Sequence, residues 1–339
     1  MTIHETVRPA LRGRASGWED ADPGENHLMV RAPRIAVVGS CNVDLTVFTD
    51  RFPQPGETMF GTGFDLGFGG KGANQAAAAR LCGAEVVMVA RVGADLFGPA
   101  TIDNFNRLGI DASCVLVTED AASGVAPIFV DRSGQNRIIV VKGANDRLRP
   151  ADVEAAAAIL EGADCLVLQF EIPLETVAFA IEFARQRGIR CLLNPAPGQA
   201  VEPGWLAHVD YLLPNETEAE ILSGLPVRSV DDAATCARRL LAGGARRVVV
   251  TLGANGALFA DGTAVEHVPG VAVDTVDSTG AGDAFIGSLA VMLAEGVADI
   301  DAIRRANLYA ALSTTRVGTQ KSFVDRAAFD VAWAARASG

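Results

Sequence analysis

Short apolar, β-branched runs bounded by Gly, Pro or Asn predict strands at Arg34 to Gly39, Glu85 to Val92, Cys114 to Thr118, Cys165 to Gln169, Arg190 to Leu193, Tyr211 to Leu213 and Arg247 to Leu252. Their continuous hydrophobicity is that of parallel strands buried on both faces. Between them the residues read as helices over Ala76 to Leu81, Phe97 to Leu108, Val153 to Leu160, Leu174 to Arg187, Val230 to Leu241, Asp283 to Leu293 and Ile300 to Thr314. Helices alternating with short apolar strands specify an α/β fold whose parallel sheet is covered on both faces.

Other segments break this rhythm. Thr46 to Phe48 and Met59 to Leu66, separated by a Pro/Gly turn, read as exposed strands. Gly124 to Asp131 and Arg137 to Lys142 read as a hairpin around Arg132 to Gln135, so lid strands are expected at about 46–66 and 124–142. Asp261-Gly262 reads as a further hairpin turn. Residues 1–33, rich in Gly, Pro and small polar residues and without the apolar core of a signal peptide, read as a flexible extension before a domain over 34–330. Met29 lies just before the first strand and offers an alternative start. No run is long and apolar enough to span a membrane as a helix.

With 339 residues, 49% of them hydrophobic, the chain can bury a sizeable core. A net charge of -12 argues against non-specific binding to nucleic acid or an anionic membrane, which leaves small molecules as the expected partners. The six cysteines (Cys41, Cys82, Cys114, Cys165, Cys191, Cys236) form no Cys-x-x-Cys pair and have no His at ligand spacing. Zinc is therefore not expected, buried reduced thiols are, and the cytoplasm is the expected compartment. Of four histidines, His4 and His27 lie in the N-terminal tail, so only His208 and His267 remain for a Ser-His-Asp or Cys-His mechanism. Any base is expected to be a carboxylate.

One stretch meets that expectation. In Asp277-Ser278-Thr279-Gly280-Ala281-Gly282-Asp283-Ala284-Phe285, two glycines precede an acid where the chain turns into an apolar helix. Unpaired N–H groups and the positive end of the helix dipole suit an anion there, and the acid stands beside it as a candidate base. That combination suits phosphoryl transfer. The plainer alternative for Asp283 is a helix N-cap. Gly67-Phe68-Gly69-Gly70-Lys71-Gly72 matches the dinucleotide fingerprint G-x-G-x-x-G, but it does not follow the first strand, and the next strand ends in Val92-Gly93 without an acid. It is no Walker A loop, because Gly follows Lys71. Ligands of open α/β sheets sit beyond the carboxyl ends of the strands, and Asn42 and Asp44 in a loop, Asn194, Asn215 with Glu218, and Gly253 all fall there.

Gly69-Gly70-Lys71-Gly72-Ala73-Asn74-Gln75-Ala76 and the Asp277 to Phe285 stretch resemble the two signatures of the carbohydrate kinase family that includes ribokinase and fructokinase. Gly39 to Asp44, Asn194 to Pro197 and Pro214 to Glu220 are similar to ribokinase in particular, and the resemblance spans about residues 34 to 325. It implies a three-layer α/β/α sandwich with a mostly parallel central sheet and a small β lid. The implied activity is transfer of the ATP γ-phosphoryl to a sugar hydroxyl, with ribose the first expectation and deoxyribose, fructose or a nucleoside the alternatives. A non-catalytic sugar-binding protein is the rival of another class.

Carried over by resemblance, Asp283 is the base and Gly280, Ala281 and Gly282 form the anion hole. The sugar falls to Asn42, Asp44, Gly70, Lys71, Asn74, Glu171 and Asp283. For Lys71 a surface or phosphate role stays open, and for Glu171 a helix cap. The nucleotide falls to Asn215, Thr251, Gly253, Asn255, Gly256, Gly282 and Asn307, with Glu218 near Mg²⁺ through water or, alternatively, only an acid in the first turn of a helix. A K⁺ site is implied at Asp277, Thr279, Ser313, Arg316, Gly318 and Ser322, mostly through carbonyls, with a surface ion pair the alternative for Arg316. A homodimer through the lid edges is expected. Pro127 departs from the family pattern inside a lid strand, where it favours an edge or bulge and reshapes the wall against the sugar.

Overall fold

The computed structural model describes residues 31–202 and 204–337; the expected extension up to residue 30, with Met29, lies outside the described residues. The chain forms β1 (Arg34–Val38), β2 (Asn42–Phe48), β3 (Gly63–Gly69), α1 (Lys71–Leu81), β4 (Glu85–Gly93), α2 (Phe97–Leu108), β5 (Asp111–Thr118), β6 (Gly124–Val130) and β7 (Asn136–Ile138). There follow α3 (Pro150–Ala155), α4 (Ala157–Leu160), β8 (Cys165–Leu168), α5 (Leu174–Arg187), β9 (Arg190–Leu193), β10 (Tyr211–Leu212), α6 (Glu216–Ser223) and α7 (Val230–Ala242). The last elements are β11 (Val248–Thr251), β12 (Ala257–Ala260), β13 (Val265–Val268), α8 (Ala281–Ala294), α9 (Asp299–Ser313) and α10 (Arg326–Ala337).

Nine strands make one sheet in the order β13-β12-β11-β10-β9-β8-β1-β4-β5. Its pairings are parallel apart from β11 with β12 and β12 with β13. Along β1, Ile35 and Val37 enter the core on one face while Ala36 and Val38 enter the core on the other. Both faces are covered, which is why the strand shows no polar alternation. On the first face, α8 is buried at every position from Asp283 to Leu293, so it is apolar all round. It lies against the Ala-rich α1, and a Cβ at Gly287 would stand 2.5 Å from the Gln75 carbonyl oxygen. Small residues on both helices thus let their N-terminal ends meet.

A separate four-stranded sheet has the order β3-β2-β6-β7. Asn42 and Asp44, expected in a loop, belong to β2, where they alternate with Val43 and Leu45 and face Gly69 and Gly67 of β3. β3 accordingly runs later than expected and takes up the first half of the glycine-rich stretch. Pro127 sits in β6, an inner strand, opposite Leu45. It has no N–H to give, so opposite Pro127 only one of the two ladder bonds forms, from Ile139 N to the Pro127 carbonyl at 3.1 Å, and beyond it the pairing is a single bridge between Val125 and Val141. The expected helix over 153–160 is two short helices broken at Ala156, starting from Pro150. The closing α10 was not anticipated, and α6 only as the helix whose first turn Glu218 would occupy. The six cysteines are free; five are buried, and Cys114 is half-buried.

Candidate active site

β1 continues to β4 on one side of the sheet, whereas β8 lies on its other side, so the order of strands reverses between β1 and β8. Ligands collect at such a switch point. Ser40 follows β1 and Glu171 follows β8, and they bridge the crevice: Ser40 Oγ donates to Glu171 Oε2 at 2.5 Å. The same oxygen accepts the Lys71 amide at 3.0 Å. Glu171 therefore holds the first amide of α1, not the start of α5, whose N-cap is Pro173.

Asp283 sits in the first turn of α8 and is buried. It does not cap the helix: Gly280 is the N-cap, and no side chain bonds there. Instead its carboxylate accepts from α1, with Asn74 Nδ2 on Oδ2 at 2.9 Å and Gln75 Nε2 on Oδ1 at 3.0 Å. Gly280 holds φ +77°, and any Cβ there would collide with Thr319 Cγ2. At Gly282 a Cβ would meet nothing within 4 Å, so open space lies beside that residue, whereas the Ala281 amide donates to the Ser278 carbonyl at 3.2 Å.

On the β2 side, Asn145 Nδ2 donates to Asn42 Oδ1 at 2.8 Å and to the Cys41 carbonyl at 3.1 Å, while its Oδ1 accepts the Cys41 amide at 2.9 Å. This turns the Asn42 amide so that its NH₂ group is left for a ligand. Burial, then the charges of Glu171 and Asp283, push the Asp44 carboxyl up to about 7. Gly70, with φ +88°, approaches the backbone at Cys41 and Asn42 too closely for any side chain. Lys71 is half-buried; burial lowers its affinity for a proton, but the carboxylates of Asp283, Glu171 and Glu218 outweigh that and raise it. A freely solvated surface lysine is thereby ruled out.

Asn215 and Glu218 form a capping box at α6: Glu218 N donates to Asn215 Oδ1 at 2.8 Å, and Asn215 N donates back to Glu218 Oε2 at 2.9 Å. Glu218 is thus an acid in the first turn of α6, as the alternative had it, and caps the helix as well, yet it also senses the site. Burial raises its proton affinity most, and Asp283 adds to this, against the Asn215 amide and Lys71. Thr251 bridges Asn215. Gly256, with φ +92°, packs on the backbone of 268–270, and Asn307 Nδ2 donates to the Val268 and Pro269 carbonyls at 3.2 Å each. The nucleotide candidates from three separate elements, with Gly253 and Asn255 in the same turn, therefore share one edge.

The K⁺ candidates are joined in part. Asp277 accepts Thr279 N at 2.9 Å, Thr279 Oγ1 at 2.7 Å and Gly318 N at 2.9 Å. Burial opposes its charge, but the Gly318 amide and both Thr279 donors hold it below the usual carboxylate range. Ser313 and Ser322 each direct the hydroxyl to the carbonyl three residues earlier, at Ala310 and Thr319. Arg316 is exposed and makes no ion pair among the described residues. Asp44, Asp277, Thr279 and Gly318 line a cavity of about 650 Å³ between the small sheet and these loops, as do Thr46 and Ile128. Pro127 does not line it, so the expected effect of that proline on the wall is not seen; its neighbour Ile128 occupies the wall.

Several site residues were not singled out from the sequence: Ser40, Gln75, Asn145, Gln169 and Gln320. Gln320 Nε2 donates to Asn74 Oδ1 at 3.2 Å, and its Oε1 accepts from Asn104 Nδ2 of α2 at 2.9 Å. The adjacency of Gln75 to Asn74, inside a motif already read, was the available signal.

A buried carboxylate at an open, uncapped helix N-terminus, beside a cleft lined by paired polar groups, defines a phosphotransferase-like site. The model of the pfkB family of carbohydrate kinases matches residues 32–326. The chain belongs to that family, and it is a carbohydrate kinase. It is 44% identical to a deoxyribokinase of Salmonella typhi over 291 residues, covering 85% of this chain and 95% of that one. It is 39% identical to a ribokinase of Mus musculus over 307 residues, covering 89% and 95%. Among solved structures, ribokinase of Arabidopsis thaliana complexed with ribose and ATP superposes with a TM-score of 0.84 at 29% identity, covering 88% of this chain and 98% of that one.

Proposed function

We propose that the enzyme transfers the γ-phosphoryl of ATP to the primary hydroxyl of a pentose, D-ribose giving ribose 5-phosphate. The observation that carries this reading is Asp283, buried with each oxygen held by one side-chain amide, at a helix end open over Gly282. Asp283 takes the hydroxyl proton as the sugar oxygen bonds to phosphorus and the bond to the ADP oxygen breaks. The amides of Gly280, Ala281 and Gly282 meet the charge that develops on the transferring group. Asn42, as donor, and Asp44, as acceptor, lie two residues apart on one face of β2 and pair with neighbouring sugar hydroxyls, while Gly70, Lys71, Asn74 and Glu171 close the other side. Asn215, Thr251, Gly253, Asn255, Gly256 and Asn307 cradle the nucleotide, and the small sheet serves as a lid.

Mg²⁺ neutralises phosphate charge when bound. Glu218 already accepts from Asn215 and Asn194 on both oxygens, which fits contact through water better than direct ligation. K⁺ would take oxygen donors only, and the set fits: an ionised Asp277, with Thr279, Ser313, Arg316, Gly318 and Ser322 offering carbonyls because the two serine hydroxyls are engaged elsewhere. The exposed apolar residues Phe64, Leu66, Ile139 and Val141 of the small sheet support a homodimer through the lid, testable as the mass in light scattering. Six free cysteines accord with a cytoplasmic enzyme.

Deoxyribose is the second reading, favoured by the higher identity to the Salmonella deoxyribokinase. The two are separated by kcat/KM on ribose and on 2-deoxyribose. A site with a donor and an acceptor for neighbouring hydroxyls should favour ribose by at least about tenfold, and a preference for deoxyribose would overturn the choice.

A further inference from the structure

Gln75 and Gln169 are both fully buried. One end of the Gln75 amide faces two acceptors, Asp283 Oδ1 at 3.0 Å and Asn194 Oδ1 at 3.3 Å. Asn194 cannot reverse, because its Nδ2 donates to the Leu213 carbonyl at 3.0 Å. The Gln75 NH₂ must therefore point at Asp283, which leaves its Oε1 turned toward Gln169. Gln169 Nε2 donates to that oxygen at 2.7 Å. The remaining atom, Gln169 Oε1, is buried over Gly39 with no hydrogen-bond partner among the described residues, and a Cβ at Gly39 would strike it.

A buried acceptor without a partner costs stability, and an apolar residue of the same shape would avoid the cost. We propose that Gln75 is a positioning residue for Asp283, and that Gln169 is kept, at a cost to the fold, to lock the Gln75 amide with its donor toward the carboxylate. With Asn74 on the other oxygen, the pair fixes the plane of the carboxylate and the lone pair that receives the hydroxyl proton. Neither glutamine touches the sugar or ATP in this role, which rests on Asp283 acting as the base.

The test is steady-state kinetics and thermal unfolding of the full chain carrying Gln169→Leu, Gln75→Leu, both together, or Asp283→Asn, on the pentose the wild type phosphorylates. Gln169→Leu is expected to leave Tm unchanged or higher and both KM values within about twofold, while kcat falls about tenfold, the scale of a misplaced reacting group. A purely structural glutamine would move these the other way, lowering Tm and sparing kcat. Gln75→Leu should lose more, and the double variant no more than Gln75→Leu alone, because Gln169 acts through Gln75. Gln169→Leu with wild-type kcat, or a double variant whose losses multiply, overturns the relay while an inactive Asp283→Asn keeps the base. Asp283→Asn turning over like wild type removes the base itself and the relay with it.

Discussion

Replacing Asp44 by Asn should separate the demands of folding from those of sugar binding. Burial beside Glu171 and Asp283 moves this carboxyl from an ordinary 3.8 to about 7. The folded protein therefore holds the proton more tightly than the unfolded chain does. Stability from this group is greatest below pH 4 and is lost as pH rises toward 7. Across that interval the loss is about 4 kcal/mol before solvent screening and roughly 2 kcal/mol after it, since Asp44 is only partly buried. Asn carries no charge to bury. The variant should match wild type near pH 4 and exceed it by roughly 2 kcal/mol, or about 4 °C in Tm, at pH 8. Thermal unfolding of both proteins from pH 5 to pH 8 measures this, with urea midpoints as a second probe. In the same variant KM for the sugar should rise at least about tenfold, and the wild-type kcat/KM should climb with pH around 7 as Asp44 becomes an acceptor. A stability gain that does not grow with pH, or a loss at pH 8, would refute the reasoning.

Two further substitutions probe the other walls. Asn145→Asp puts an acceptor against Asn42 Oδ1 and forces that amide to turn over, so KM for the sugar should rise about tenfold or more with kcat nearly retained; sugar-saturation curves decide it. Gly280→Ala combines a left-handed φ with a collision at Thr319, and should lower kcat about a hundredfold by shifting the α8 amides, while circular dichroism stays native.

Much of the fold was legible because its signals are local. Phe97–Leu108, Leu174–Arg187 and Arg190–Leu193 fall where the pattern puts them, each bounded by glycine, proline or a change of period. Asp283 stood out because glycines and an apolar helix surround it. Asn42 and Asp44 were assigned to a loop because polar residues were weighed singly; their alternation with Val43 and Leu45 is the period of a strand with one wet face. α6 was read only through Glu218 as a first-turn acid, although its capping box, Asn215 and Glu218, is written in the chain. Asn145 and Gln169 carry no local signal, and Gln75 only its place beside Asn74 in a motif. Each is polar, fully or almost fully buried, and explained only by a partner between 94 and 208 residues away, as in the Gln169 to Gln75 and Gln75 to Asp283 bonds. Pro127 shows the converse: the departure is visible in sequence, but its consequence depends on which face of β6 meets the cavity.

The central claim is that Asp283 takes the proton of a pentose hydroxyl in an ATP-dependent transfer assisted by K⁺. A coupled ADP-release assay with Mg·ATP and ribose, run with and without K⁺ on the wild type and on Asp283→Asn, tests it most directly. Potassium-stimulated turnover that falls at least about a hundredfold in the variant, with a native circular dichroism spectrum, is the predicted result. Turnover in Asp283→Asn close to that of the wild type would contradict the account.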